Sequence, residues 1–401
     1  MQIDKIKWLY IARFFSLTGS QILFFALPLL IFKLTNSIFY SGLAFSIEWA
    51  ARLISFPLSG YCADHFGSKR VYVLTDLVVG GLCILSLLLM LIFQGISLYV
   101  LMILATSAGF LSEQGYVSAE SLAPKLVSSQ YYPKSQSILE ILELMSLLFG
   151  PFLSAIFLIY FSLNHLILIA MIFYFLSALA MKIIKVEGHT ANTQGNVVHE
   201  LLLGFNVVKE HSYLIQMILL SMLLNLLFGL MTGSAPAMVV GIFQKSDHFY
   251  ALLNFSSGLF GAFVIILFNY ALKHISILKI GIITFLLACF SCICFGFIHS
   301  YLAYVLIYAF FYGVNALFSI FFRSERARII PKELLGRTIG SIIFITFLFF
   351  PLSGLLISIS EQTIGLQNLV MLFGILCFIF GIPTLLKIRQ IDFVKADEAA
   401  S

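Results

Sequence analysis

Charge is what this chain has least of: only 10% of its 401 residues are Asp, Glu, Lys or Arg, and no polar stretch is long enough for a soluble domain. That excludes an ordinary water-soluble globule. The net charge of +5 is spread over short hairpins, which argues against nucleic acid as a partner. Cysteine is also sparse. Cys289, Cys292 and Cys294 share one helix with no His or carboxylate near them, so they are expected as small buried residues and no metal site is expected. The eight histidines fall in hairpins or at the ends of apolar runs, which argues against haem ligated inside a membrane. A Gly-rich phosphate loop, a paired-His metal motif and a nucleophile elbow are all missing, so no enzyme chemistry and no cofactor are expected.

What the chain has is apolar length. Hydrophobic residues make up 61% and the mean hydropathy is +1.05. At about 20 residues per span, 12 segments can be counted, centred near residues 21, 49, 82, 110, 147, 173, 227, 259, 286, 312, 345 and 376. Their continuous apolar runs lack the two-residue alternation of a barrel strand, so an all-α membrane protein with 12 transmembrane helices is expected. The first run, from Met1 to Leu34, is too long for a signal-peptide core and shows no clear cleavage site, so it is expected to remain as the first span.

Of the 23 Lys and Arg, Lys33 and Lys245 lie in odd-numbered hairpins and Arg13 and Arg52 within spans; the others lie in the termini and even-numbered hairpins. The even side is therefore expected to be cytoplasmic, with both termini inside, in the inner membrane of the cell. Ala26-Leu27-Pro28 on the first span recurs as Ser234-Ala235-Pro236 on the seventh. Residues 125–137, after span four, are echoed by residues 328–340, after span ten. Two six-helix bundles in parallel repeat, residues 1–186 and 213–401, are the simplest account, with a cytoplasmic linker over 187–212 that carries an amphipathic helix. A binding site near the bilayer midplane is the usual consequence.

The most specific stretch is the polar turn Gly60-Tyr61-Cys62-Ala63-Asp64-His65-Phe66-Gly67-Ser68-Lys69-Arg70, set between two apolar runs. It resembles the loop between the second and third helices of the major facilitator superfamily, Gly-x-Leu-Ala-Asp-Arg-x-Gly-Arg-Lys. Gly60, Ala63, Asp64, Gly67 and Lys69 match; Cys62, His65 and Ser68 depart, and Arg70 supplies a base one position later. Together with Ala12 to Ser16, Ala235 to Met238 and Leu334 to Gly340, the chain looks like the bacterial branch that contains the enterobactin exporter. The resemblance implies a conformational gate of Gly60, Asp64, Gly67, Lys69 and Arg70, with Asp64 meeting the start of span eleven at Arg337. Span five carries Ser146-x-x-x-Gly150-Pro151-x-x-Ser154-Ala155, similar to the glycine and proline motif of proton-coupled antiporters in that superfamily. Small residues four apart also serve close helix packing, and Pro151 bends the span.

An ionisable group at the bilayer centre costs about 2.5 to 3.5 kcal/mol on insertion scales, so each needs a reason. Within the spans lie Arg13, Glu48, Arg52, Glu113, Glu140 and Glu143, all in the first half; the second half offers asparagines, Asn225 and Asn315 among them, and no acid. Arg13 and Glu140 are at similar depth and are expected to form a buried pair. Glu48 and Arg52 are four apart on one helix face and are expected to pair too. That leaves Glu113 and Glu143 without an evident cation. A buried unpaired carboxylate favours its neutral form, as a reversible proton carrier requires, so Glu143, Glu113 and Glu48 are the proton-coupling candidates, with Glu143 preferred for its place one turn before Ser146. Arg52, Gln21, Gln114, Asn225 and Asn315 are the expected polar lining of a substrate cavity. Asp76 is placed near the cytoplasmic end of span three, within reach of Arg70 or Lys69.

These features point to a monomeric secondary transporter in the lipid bilayer. The function expected is proton-coupled antiport that exports a small amphipathic molecule such as a siderophore or drug. Import of a siderophore or metal chelate by the same alternating access is the alternative. Forty-two Phe suit an aromatic ligand, but lipid-facing positions absorb most of them.

Overall fold

The computed structural model describes residues 2–127, 132–184, 205–206, 208–271, 275–330 and 335–400, with the side chains of 2–5, 265–271, 391–400 and scattered others, Asp64, Glu140 and Arg337 among them, outside the description. Most of the expected linker over 187–212 lies outside it too. Among the described residues the chain is helical and holds no strand. The helices are α1 (Gln2–Thr35), α2 (Ile38–Phe66), α3 (Ser68–Ile92), α4 (Ser97–Leu126), α5 (Tyr132–Tyr160), α6 (Leu163–Ile183), α7 (Ser212–Pro236), α8 (Asp247–Ala271), α9 (Ile277–Phe295), α10 (Tyr301–Ile329), α11 (Leu335–Phe347), α12 (Phe349–Ser360) and α13 (Leu366–Ala400).

Nine of the spans are long and apolar enough to cross a membrane among the described residues, α11 and α12 together making one of them. Helices α2, α4 and α8 are not among the nine: α8 has the side chains of residues 265–271 outside the description, and α2 and α4 fall short because Glu48, Arg52, Glu113 and Gln114 interrupt them, with serines and glycines between. Helices α2 and α4 are as long as those that qualify, so their shortfall is one of polarity and not of reach.

The expected polar hairpin of residues 60–70 is narrower than its sequence suggests. Helix α2 runs on to Phe66 and α3 begins at Ser68, so Gly67 alone makes the turn, with φ 87°. Only glycine adopts that angle freely. Gly60 lies inside α2 against open space, and its absence of a side chain is not required there.

Two compact units divide the chain: Met1–Val197 with Gln244–Phe255, and Val198–Phe243 with Ser256–Ser401. In the first, Ile6, Leu9, Ala12, Tyr72, Leu122, Leu139 and Met181 close a core over one end of α1, α3, α4, α5 and α6. The amino group of Lys69 donates to the carbonyl of Lys182 at 3.0 Å, a cation on the last turn of α6, where the helix dipole favours it. In the second unit α7 packs against α12 and α13, and Asn225 Nδ2 donates to the Thr346 carbonyl at 2.8 Å. After Pro236 the helix widens into a π turn over Ala237–Ile242, where Phe243 N–H reaches back to the Met238 carbonyl at 2.9 Å. Such turns mark places where a helix can change register.

Candidate functional site

The charged centre of the first unit is a three-membered cluster on α2 and α4. Arg52 points Nε and Nη2 at Glu48 Oε1, at 3.3 and 2.9 Å, and Nη1 at Glu113 Oε1, at 3.0 Å. Glu113 therefore has a cation, contrary to the expectation from sequence. The reason is that the guanidinium fork has enough donors to serve two carboxylates at once. Two acids share one base, so the fully ionised cluster carries one surplus negative charge. Rings close its sides: the Arg52 guanidinium carbon lies 5.4 Å from the centroid of Trp49 and 5.8 Å from that of Phe24. The Glu48 side chain is 4% exposed and that of Glu113 is 16%, so Glu113 is the more accessible acid.

Close approach of the two helices makes this possible. A Cβ added at Gly109, one turn before Glu113, would sit 2.9 Å from Glu48 Cγ and 3.0 Å from the Glu48 carbonyl oxygen. One turn further, Ser55 Oγ donates to the Phe110 carbonyl at 2.6 Å, and Gln114 Nε2 donates to Ser55 Oγ at 3.1 Å. Gln114 thus ties α4 to α2, and its Oε1 is buried without a partner. Sequence reasoning missed Gly109 and Ser55. The available signal was the matched spacing of Glu48 with Arg52 and of Gly109 with Glu113.

The other candidates disperse. Arg13, 4% exposed, lays its guanidinium 4.7 Å from the centre of the Tyr116 ring; the side chain of Glu140 lies outside the described residues, and with it the expected pair. Glu143 is partly buried and makes no ion pair among the described residues. Gln21 of α1 meets α5 at Gly150, where a Cβ would collide with it. Ser146 and Ser154 each donate to a carbonyl one turn earlier, at 2.8 Å, and Gly150 between them is the point where α1 comes close. Asn315 is partly exposed, and its backbone carbonyl accepts from the Ser319 hydroxyl on the same helix. Asp76 is not at the membrane face with Lys69 or Arg70: it is 2% exposed and accepts from Ser16 of α1 at 3.0 Å. The second half does hold a buried acid, contrary to expectation. Glu325, 3% exposed near the end of α10, accepts from Tyr213 at 3.0 Å and Arg328 at 2.6 Å.

The second unit contributes rings and hydroxyls. Tyr304, Tyr308 and Tyr312 follow one face of α10 with centroids 5.6 and 4.7 Å apart, and Phe228 of α7 lies 4.9 Å from Tyr312. Tyr308 donates to Tyr312 at 3.0 Å, and the Thr232 hydroxyl is 2.7 Å from the Tyr312 oxygen.

The spans and the buried charged cluster between α2 and α4 are those of a membrane protein with polar groups inside its helices. The chain belongs to the Major Facilitator Superfamily, whose pattern matches residues 9–350, and it is a secondary transporter and not an enzyme. Among curated relatives it is similar to the enterobactin exporter EntS of Salmonella choleraesuis (strain SC-B67), 26% identical over 151 residues. That stretch covers 37% of this chain and 35% of the exporter. Among solved structures it is similar to the nucleoside transporter NupG, with a TM-score of 0.77, 14% identity, and 95% and 99% of the two chains covered. The D-xylose-proton symporter is similar too, with a TM-score of 0.75, 11% identity, and 95% and 97% covered.

Proposed function

We propose that the protein is a proton-driven antiporter that exports a small amphipathic molecule, a siderophore or drug by class, from the cytoplasm across the inner membrane, as a monomer with both termini inside. The observation that carries the reading is the surplus acid around Arg52. One proton on the pair of glutamates leaves the cluster neutral, and loss of that proton leaves an acceptor for a cation or a hydrogen-bond donor on the substrate. Proton and substrate then exclude one another at Glu113, which is the condition for exchange. Glu113 takes this role ahead of Glu143 because it is held against Arg52 and is more accessible than Glu48. Export is supported by the partial likeness to the enterobactin exporter and by the Ser146 to Ala155 pattern. Two six-helix halves, residues 1–186 and 213–401, alternate access, and Asp64 with Arg337 closes the cytoplasmic side, as the family motif implies.

The experiment is substrate flux in proteoliposomes under an imposed pH gradient, across a panel that includes catechol siderophores and lipophilic cations. Glu113→Gln is expected to lose gradient-driven flux while keeping exchange of substrate for substrate; Glu143→Gln is expected to retain the gradient response. A Glu113→Gln variant that follows the gradient as the parent does removes that residue from coupling.

A further inference from the structure

Asp76 lies outside the Arg52 cluster, and its surroundings are unusual for a carboxylate. Its Oδ1 accepts from Ser16 Oγ at 3.0 Å, but its Oδ2 is buried with no hydrogen-bond partner. The hydroxyls near it are committed elsewhere. Ser177 Oγ donates to the Ala12 carbonyl at 2.7 Å, so in its 3.1 Å contact with Tyr72 the phenol is the donor. Ser177 lies close enough to Asp76 to act on it, but its single proton points at the Ala12 carbonyl and Oδ2 is left without a donor. The cation on this side is Arg13, which acts on Asp76 through space but is stacked over Tyr116 and makes no ion pair with it. Other titratable groups facing the site are Tyr72 of its own helix and Tyr174 of α6, which is buried beside Ser20 and Ser112. From α4, Tyr116 faces Arg13, and Glu113 and Glu120 lie around that phenol.

A dry carboxylate oxygen with no donor is costly as an anion and far less so once protonated. We propose that Asp76 is a proton-binding site in its own right, filled at Oδ2 and separate from the Arg52 cluster. The bound proton turns that oxygen into a donor, and the lone pairs left on the Ser177 and Tyr72 oxygens are the acceptors near it. Release of the proton creates a charge that draws on Ser16 and Arg13, both on α1. Occupancy of the site therefore biases how α1 sits against α3 and α6. The inference does not depend on where substrate-coupled exchange takes place.

The test is infrared difference spectroscopy of the purified protein in lipid, recorded as pH is raised. Wild type is expected to show a protonated-carboxyl C=O band, at pH values where exposed carboxylates are ionised, that Asp76→Asn abolishes and Glu113→Gln leaves in place. Ser16→Ala should shift that band without removing it. Labelling wild-type protein with 13C-carboxyl aspartate gives the same answer without substitution, should Asp76→Asn fail to fold: the band moves only if it belongs to an aspartate. Identical spectra for wild type and Asp76→Asn, or no band that responds to labelled aspartate, would overturn the proposal.

Discussion

At the scale of single residues, Arg52 decides most. Its donors split between Glu48 and Glu113, so neither acid is compensated without it. Removing one member of a buried charged group costs about 3 to 5 kcal/mol, whereas removing all the charges together is often close to neutral. Arg52→Gln is therefore expected to lower the melting temperature in detergent well below the parent. The triple variant Glu48→Gln, Arg52→Gln, Glu113→Gln should recover most of that stability and still fail to transport. Arg52→Lys should behave like the loss, because a single ammonium cannot reproduce a fork that faces two carboxylates. Equal melting temperatures for Arg52→Gln and the parent would sink the idea of a cluster. The half of this site that is local was legible in the sequence, since Glu48 and Arg52 are one turn apart. The other half was not: Arg52 and Glu113 are 61 positions apart, and Ser16 and Asp76 are 60. Helix packing brings such pairs together, and no spacing rule within one helix can show it.

At the scale of elements, the seam between α2 and α4 depends on Gly109. Added atoms at that position meet both the side chain and the backbone oxygen of Glu48. A side chain can turn aside, but a helix backbone can yield only by moving the helix. Gly109→Ala is thus expected to push α2 from α4, lengthen the Arg52 to Glu113 contact and reduce both transport and melting temperature. Gly81→Ala on α3 is the control. Nothing lies within 4 Å of the added atom there, and alanine favours a helix over glycine by about 1 kcal/mol, so stability should hold or rise. The spans themselves were readable as long apolar runs. Their limits were less so, because α2 passes through Asp64 and His65 before Gly67 stops it. Polar residues at a membrane face need not leave the helix, since its backbone hydrogen bonds continue in water.

At the scale of the whole molecule, the shared-acid cluster of Arg52 and the buried Asp76 lie in one unit, and the tyrosine ladder of α10 lies in the other. Arg13, Glu48, Arg52, Asp76, Glu113 and Glu143 are in the first; Phe228, Tyr304, Tyr308 and Tyr312 are in the second, where Glu325 is already held by Tyr213 and Arg328. Composition showed the first half of this division, because acids are rare enough to count. It hid the second, because rings are common throughout the chain and only packing selects the few that stack. The proposed function places proton coupling in the first unit, and the ladder of the second is the candidate for ligand contact. Tyr312 is the point to probe: it is partly exposed, and its hydroxyl meets both Thr232 and Tyr308. Tyr312→Phe keeps the ring and removes the hydroxyl. A neutral hydrogen bond contributes about 0.5 to 1.5 kcal/mol net, so the KM for a transported substrate should rise about two- to tenfold with the pH dependence of flux unmoved. Glu113→Gln should do the reverse, flattening the pH dependence with a smaller change in KM. Both profiles can be measured on one substrate in one set of proteoliposomes. A Tyr312→Phe variant whose flux shifts along the pH axis, with KM unchanged, would place the second unit in the proton path and end the division of labour.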